Sequence, residues 1–93
     1  MLERRVMVNK RMKADAVLRL ARRHARRHGL RVEPLDGRGK GSHQVYVVRD
    51  KQTGEERGRF NLTRHGSKDV SWTVLNNIEA ALAPTFGEKW MET

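Results

Sequence analysis

The sequence predicts an α+β fold of order α-β-β-β-α, a three-stranded antiparallel sheet with two helices packed on one face. Three observations lead there. Apolar residues recur at helical spacing near both ends of the chain, at Ala14, Val17, Leu18, Ala21 and Ala25, and again at Trp72, Leu75, Ile78 and Leu82. Between these stretches lie three short β-prone segments separated by glycine-bearing turns. Two apolar stripes and one small sheet are buried together when both helices cover the same sheet face.

Each element has its own signals. The first helix is predicted from about Lys10 to His28, with Arg19, Arg22, Arg23, Arg26 and Arg27 opposite the apolar stripe and Gly29 at its C-terminal end. Leu30 to Leu35 reads as a short strand, with Pro34 marking its end or an edge position. Asp36 to Gly41 is a glycine-rich loop. His43 to Arg49 alternates and is rich in Val and Tyr, a second strand. Asp50 to Glu55, with Thr53-Gly54, is the hairpin turn, and Glu56 to Leu62 returns with Phe60 and Leu62 on one face. A polar loop runs from Thr63 to Val70. Ser71 can cap the second helix, which Pro84 is expected to end. Trp72 shares the stripe with Leu75 and is expected in the core. From Thr85 the chain reads as a short tail unless Phe86 and Trp90 fold back.

The 93 residues fit one domain, with 1–9 as a flexible basic leader, 10–83 as the domain and 84–93 as the tail. Met1, Met7 and Met12 are all plausible starts. No run approaches a membrane span and no apolar stretch near the start resembles a signal peptide. Cysteine is absent, which excludes disulfides and thiolate metal sites. The expectation is a soluble cytoplasmic protein without membrane, metal or cofactor.

Charge points to a partner. The net charge is +9, and residues 1–40 carry all of the excess, with 13 basic and 4 acidic residues, whereas residues 41–93 hold 7 of each. A concentrated basic zone is the footprint of a polyanion binder. A membrane surface would ask for bulky apolar residues opposite the basic ones, and the first helix offers mainly Ala, Val and Leu. Nucleic acid is the better fit. Aromatic residues are only 5% of the chain, which argues against modules that stack bases on exposed rings.

The most specific segment is Gly39-Lys40-Gly41-Ser42-His43-Gln44-Val45-Tyr46. Glycines flanking a lysine let backbone approach a phosphate closely. A histidine at the mouth of such a loop can exchange a proton near neutral pH. RNA cleavage by transesterification needs a base for the ribose 2′-hydroxyl and positive charge near the phosphate, and this segment holds both. On spacing alone, an incidental surface histidine beside a glycine hairpin loop is the better reading.

Gly39-Lys40-Gly41-Ser42-His43, followed by Tyr46, resembles the signature of the HicA toxin family of messenger-RNA interferases. Leu62-Thr63-Arg64-His65-Gly66-Ser67-Lys68-Asp69-Val70 is similar to that family's third-strand exit, and Leu75 and Ile78 fall where its last helix is apolar. The likeness spans roughly residues 17–82. It implies a double-stranded-RNA-binding-like (dsRBD-like) fold and a metal-independent endoribonuclease, the toxin of a type II toxin–antitoxin system, with His43 as the catalytic residue. It also implies a HicB-type antitoxin that covers the site. Ser71-Trp72-Thr73 departs from the glycine- or proline-containing helix start of the family, the first helix is longer and richer in arginine, and the hairpin turn is extended.

Around His43 the candidate RNA contacts are Arg38, Lys40, Gly41 and Ser42 in the first loop, Arg64, His65 and Lys68 in the second, and Arg22, Arg23, Arg26 and Arg27 on the helix. His65 could touch phosphate or serve as a second acid; a local hydrogen bond in the loop explains it equally well. His24 and His28 are four apart, a spacing that can bind metal, but no further ligand stands at a matching distance and helix packing or solvent exposure is expected. The alternative function is a non-catalytic double-stranded RNA-binding module, or a regulator, of the same fold. A neighbouring reading frame for a small acidic antitoxin would favour the toxin.

Overall fold

The computed structural model describes residues 12–35, 43–63 and 69–92. Their elements are α1 (Ala14–Arg27), β1 (Leu30–Pro34), β2 (His43–Asp50), β3 (Glu56–Thr63), α2 (Trp72–Phe86) and a closing 3-10 turn at Trp90–Glu92. The order is the expected α-β-β-β-α.

Helix α1 buries Ala14, Val17, Leu18, Ala21 and Ala25 and exposes its arginines. It begins at Ala14 instead of Lys10. In a helix reaching back further, the Met12 carbonyl would accept the Ala16 N–H; here it accepts the Val70 N–H at 2.7 Å, and extended Lys13 bridges Asp69. The segment before α2 thus claims the backbone that an earlier start would need. At the other end Gly29 takes φ 71 and its N–H donates to the Arg26 carbonyl, a left-handed stop that favours glycine.

The sheet has the order β1-β2-β3, all antiparallel, with Pro34 on an edge strand as its missing N–H requires. Asp50 holds the β2–β3 turn. Its Oδ1 accepts the N–H groups of Gln52 and Thr53 at 2.8 and 3.0 Å, and Gly54 supplies a positive φ. One parity, Val32 on β1, Tyr46 and Val48 on β2, and Phe60 and Leu62 on β3, joins the apolar stripes of α1 and α2 in one core. Tyr46 and Phe60 are ladder partners with ring centroids 5.4 Å apart. The other parity of β2 carries His43, Val45 and Val47. Val47 is fully buried although it takes that parity; Glu33 and Arg59 flank it in the ladder.

Ser71 caps α2 as expected, its Oγ accepting the Val74 N–H at 3.2 Å. Gly58 lets this helix approach β3, because a Cβ there would lie 3.0 Å from Leu82 Cδ2. Three expectations at this end are corrected. Trp72 is not core: half of its surface is exposed, because the first turn of α2 overhangs the stripe that Leu75, Ile78 and Leu82 bury. Pro84 does not end the helix, which runs on to Phe86. Proline in the last turn forfeits one bond to the Ala80 carbonyl, and Ala80 and Pro84 both face solvent, where water can take its place. Gly87, at φ 104, makes the stop, with its N–H on the Ala83 carbonyl at 2.8 Å.

The third correction concerns the tail expected at residues 84–93: its described part, 84–92, does not stand beside the domain. Phe86, Trp90 and Met91 are buried, Trp90 to 1% exposure. The Trp90 Nε1–H donates to the Glu79 carbonyl at 2.9 Å, and the indole meets the rings of Phe86 and His24 edge-on at 5.1 and 5.4 Å. The domain therefore includes the chain as far as Glu92, while the leader at 1–9 lies outside the described residues.

Candidate functional site

His43 is the first residue of β2 and is exposed. Two contacts fix the strand end that carries it. The Leu35 N–H donates to the Val45 carbonyl at 2.9 Å, and Gln44 Nε2 donates to the carbonyls of Val45 and Leu35. The place where β1 ends is thus tied to the place where β2 begins. Opposite His43 in the ladder stands Thr63, the last residue of β3. Its Oγ1 lies 3.2 Å from His43 Nδ1. A hydroxyl can donate to a bare Nδ1 or accept from a protonated one, so this partner holds the ring in either state and leaves Nε2 as the nitrogen open to a substrate.

Arg38, Lys40, Gly41, Ser42, Arg64, His65 and Lys68 lie outside the described residues. The residues to which their two stretches are joined, His43 and Thr63, are partners in a single rung. Each of the two stretches therefore has one of its ends at this rung.

Beyond Thr63 a groove of about 300 Å³ runs between β3 and α2, lined among others by Arg59, Asn61, Thr63, Val74, Asn77 and Ala81. Arg59 is fixed at it by a two-pronged bond to Glu56, at 2.9 and 2.8 Å. Neither Thr63 nor the two asparagines stand out in the sequence. The hairpin could have shown Thr63, since it and His43 are equidistant from Thr53 in the turn. Nothing in the sequence pattern marks Asn61 or Asn77.

The charges divide by element. Every arginine of the sheet has a carboxylate: Arg31 and Arg49 share Glu33, Arg57 meets Asp50 and Glu55, and Arg59 meets Glu56. The Arg31 hydrogen bond holds the Glu33 carboxyl below its usual range, and the Arg59 bond does the same for Glu56. Asp50 is lowered first by the turn N–H groups it accepts and then by Arg57. By contrast, Arg19, Arg22, Arg23, Arg26 and Arg27 on α1 are exposed and form no ion pair among the described residues. The uncompensated charge of the described residues is therefore concentrated on α1. That helix covers the core parity of the sheet, and His43 takes the other.

His24 and His28 do not form a site. His24 is 4% exposed, stacked 5.7 Å from Phe86, while His28 Nδ1 lies 2.9 Å from the His24 carbonyl. Desolvation chiefly, then the charges of Arg27, Arg23 and His28, hold the His24 imidazole below its usual value. Among the described residues no three His, Asp or Glu side chains gather as a metal-binding set. No described helix is long and apolar enough to cross a membrane.

Compared with protein-family models, curated proteins and solved structures, the chain gives no match.

Proposed function

We propose that the protein is an endoribonuclease that cleaves messenger RNA with a single histidine, a cytoplasmic toxin of the HicA kind held in check by an acidic HicB-type antitoxin. The observation that carries this reading is the exposed His43, steadied through Nδ1 by Thr63 with Nε2 left open. In the proposed reaction Nε2 takes the proton of a ribose 2′-hydroxyl. The 2′-oxygen forms a bond to the adjacent phosphorus, the bond from phosphorus to the 5′-oxygen breaks, and the proton passes to that leaving oxygen. The products are a 2′,3′-cyclic phosphate and a 5′-hydroxyl. The basic α1 face supplies affinity for the polyanion.

The test is incubation of purified protein with end-labelled RNA in the presence of a chelator, comparing the parent with His43→Ala. Expected are fragments ending in cyclic phosphate from the parent and none from the variant. Cleavage that needs an added divalent ion, or that survives in the folded variant, overturns the reading. A second reading, shape recognition of double-stranded RNA without chemistry, draws on one observation: the arginines without an ion pair among the described residues sit on α1, across the sheet from His43. RNA binding without cleavage by the parent would favour it.

A further inference from the structure

We propose that the β3–α2 groove beside Thr63 holds an unpaired nucleobase next to the cleaved phosphate and reads its edge through Asn61 and Asn77; this rests on the ribonuclease reading of His43. The groove starts where the candidate base is fixed. Thr63 touches His43 Nδ1 and is also part of the groove wall, so a nucleotide whose ribose meets Nε2 has its neighbouring space here. At about 300 Å³ the groove is at the small end of ligand pockets, suited to a base and not to a duplex.

Its chemistry favours a base over a phosphate. Among the described residues the one cation on its wall, Arg59, is already neutralised by two bonds to Glu56. The other described polar groups are two exposed carboxamides and a hydroxyl, on a wall to which Phe60, Val74, Ile78 and Ala81 add apolar surface. A carboxamide offers a donor and an acceptor in one plane, the pattern that complements an adenine edge at N6 and N7. Sequence-specific RNA recognition depends on such edge contacts to unstacked bases. The division of labour is then physical: α1 binds by charge, and the groove selects by hydrogen bonds.

That division sets the experiment. The full chain carrying His43→Ala, which keeps the RNA whole, is titrated with labelled oligoadenylate and oligouridylate at several salt concentrations. Oligoadenylate is expected to bind more tightly. Adding Asn61→Ala and Asn77→Ala together should erase about tenfold of that preference, within the range of one good bidentate contact. The slope of affinity against salt should not change, because every phosphate keeps its cationic partner. Asn77→Asp, which keeps the shape and removes the donors, should lose preference as well. Both asparagines are exposed, so an unchanged melting temperature certifies the fold of each variant. Equal affinity for the two RNAs, or a preference that survives the double change, overturns the inference. A parent chain that never cleaves but shows the asparagine-dependent preference overturns the ribonuclease reading alone; cleavage with a preference indifferent to both asparagines overturns the groove alone.

Discussion

His43 and Thr63 close the β2–β3 ladder as its terminal rung, with Nδ1 and Oγ1 3.2 Å apart. The hydroxyl fixes the ring plane from the side away from Nε2. His43→Ala should lower RNA cleavage by about 10²–10⁴-fold, the usual worth of general acid–base catalysis, while the melting temperature barely moves. Thr63→Ala should reduce turnover less, and Thr63→Ser, which keeps the hydroxyl, should restore it. Steady-state kinetics on the three variants measure this. Equal activity in Thr63→Ala and Thr63→Ser would show that the hydroxyl does not position the ring.

On α1 the arginines have no carboxylate partner among the described residues, so their charge is available to phosphates. Replacing Arg22, Arg23, Arg26 and Arg27 by Gln should flatten the dependence of RNA affinity on salt. The logarithmic slope should drop by about 0.7 for each phosphate of a single strand that is no longer neutralised. Fluorescence anisotropy across a salt series reads it. A slope equal to the parent's would mean that this helix face is only solvated.

Trp90 joins the C-terminal turn to both helices. Trp90→Ala should destabilise the fold by about 3–5 kcal/mol, as large buried aromatics do, because it empties a packed site and removes the bond to the Glu79 carbonyl. Removing the chain after Gly87 should do at least as much. Denaturant melts test both; a truncated chain as stable as the parent would refute the anchoring role.

Stability should also fall in mild acid. Burial first, and then the charges of Arg27, Arg23 and His28, hold the His24 pKa below 6.5. The unfolded chain therefore takes up the proton first. The contribution of neutral His24 is fully present above about pH 6.5 and is lost as pH falls from there through the folded value. Glu79 acts with the opposite sign. Burial chiefly, and then Glu92 and Glu88, raise its carboxyl above 4.5, so its contribution is present below about pH 4.5 and lost as pH rises through the raised value. Thermal melts from pH 7.5 to 5.5 should show decreasing midpoints, with a flatter trend in His24→Gln and no such flattening in Glu79→Gln. The same trend in His24→Gln as in the parent would assign the acid sensitivity elsewhere.

The strands and both helices could be read from the sequence because burial imposes its period on residues such as Val17, Leu18, Leu75 and Leu82. What escaped had no period to show. Trp72 continues the stripe by angle, but angular position says nothing of whether anything lies opposite the first turn of a helix. Trp90 follows Gly87-Glu88-Lys89, a charged break that hides a return to the core. His43 was legible as an unusual residue at a loop-to-strand junction. Thr63 needed the register, and Asn61 and Asn77 needed the three-dimensional neighbourhood of two elements remote in sequence. The remaining candidate contacts, Arg38, Lys40, Gly41, Ser42, Arg64, His65 and Lys68, fall outside the described residues.

The carboxylates that answer Arg31, Arg49, Arg57 and Arg59 lie within 3.5 Å of them, and opposite charges so close cancel each other's field over a short distance. Among the described residues the surplus left on α1 is therefore sided. The pull that these residues exert on an anionic polymer is strongest toward α1. His43 takes the opposite parity of the sheet. A chain that touches both at once has to turn around the sheet's edge, which a supple single strand does readily and a stiff duplex resists.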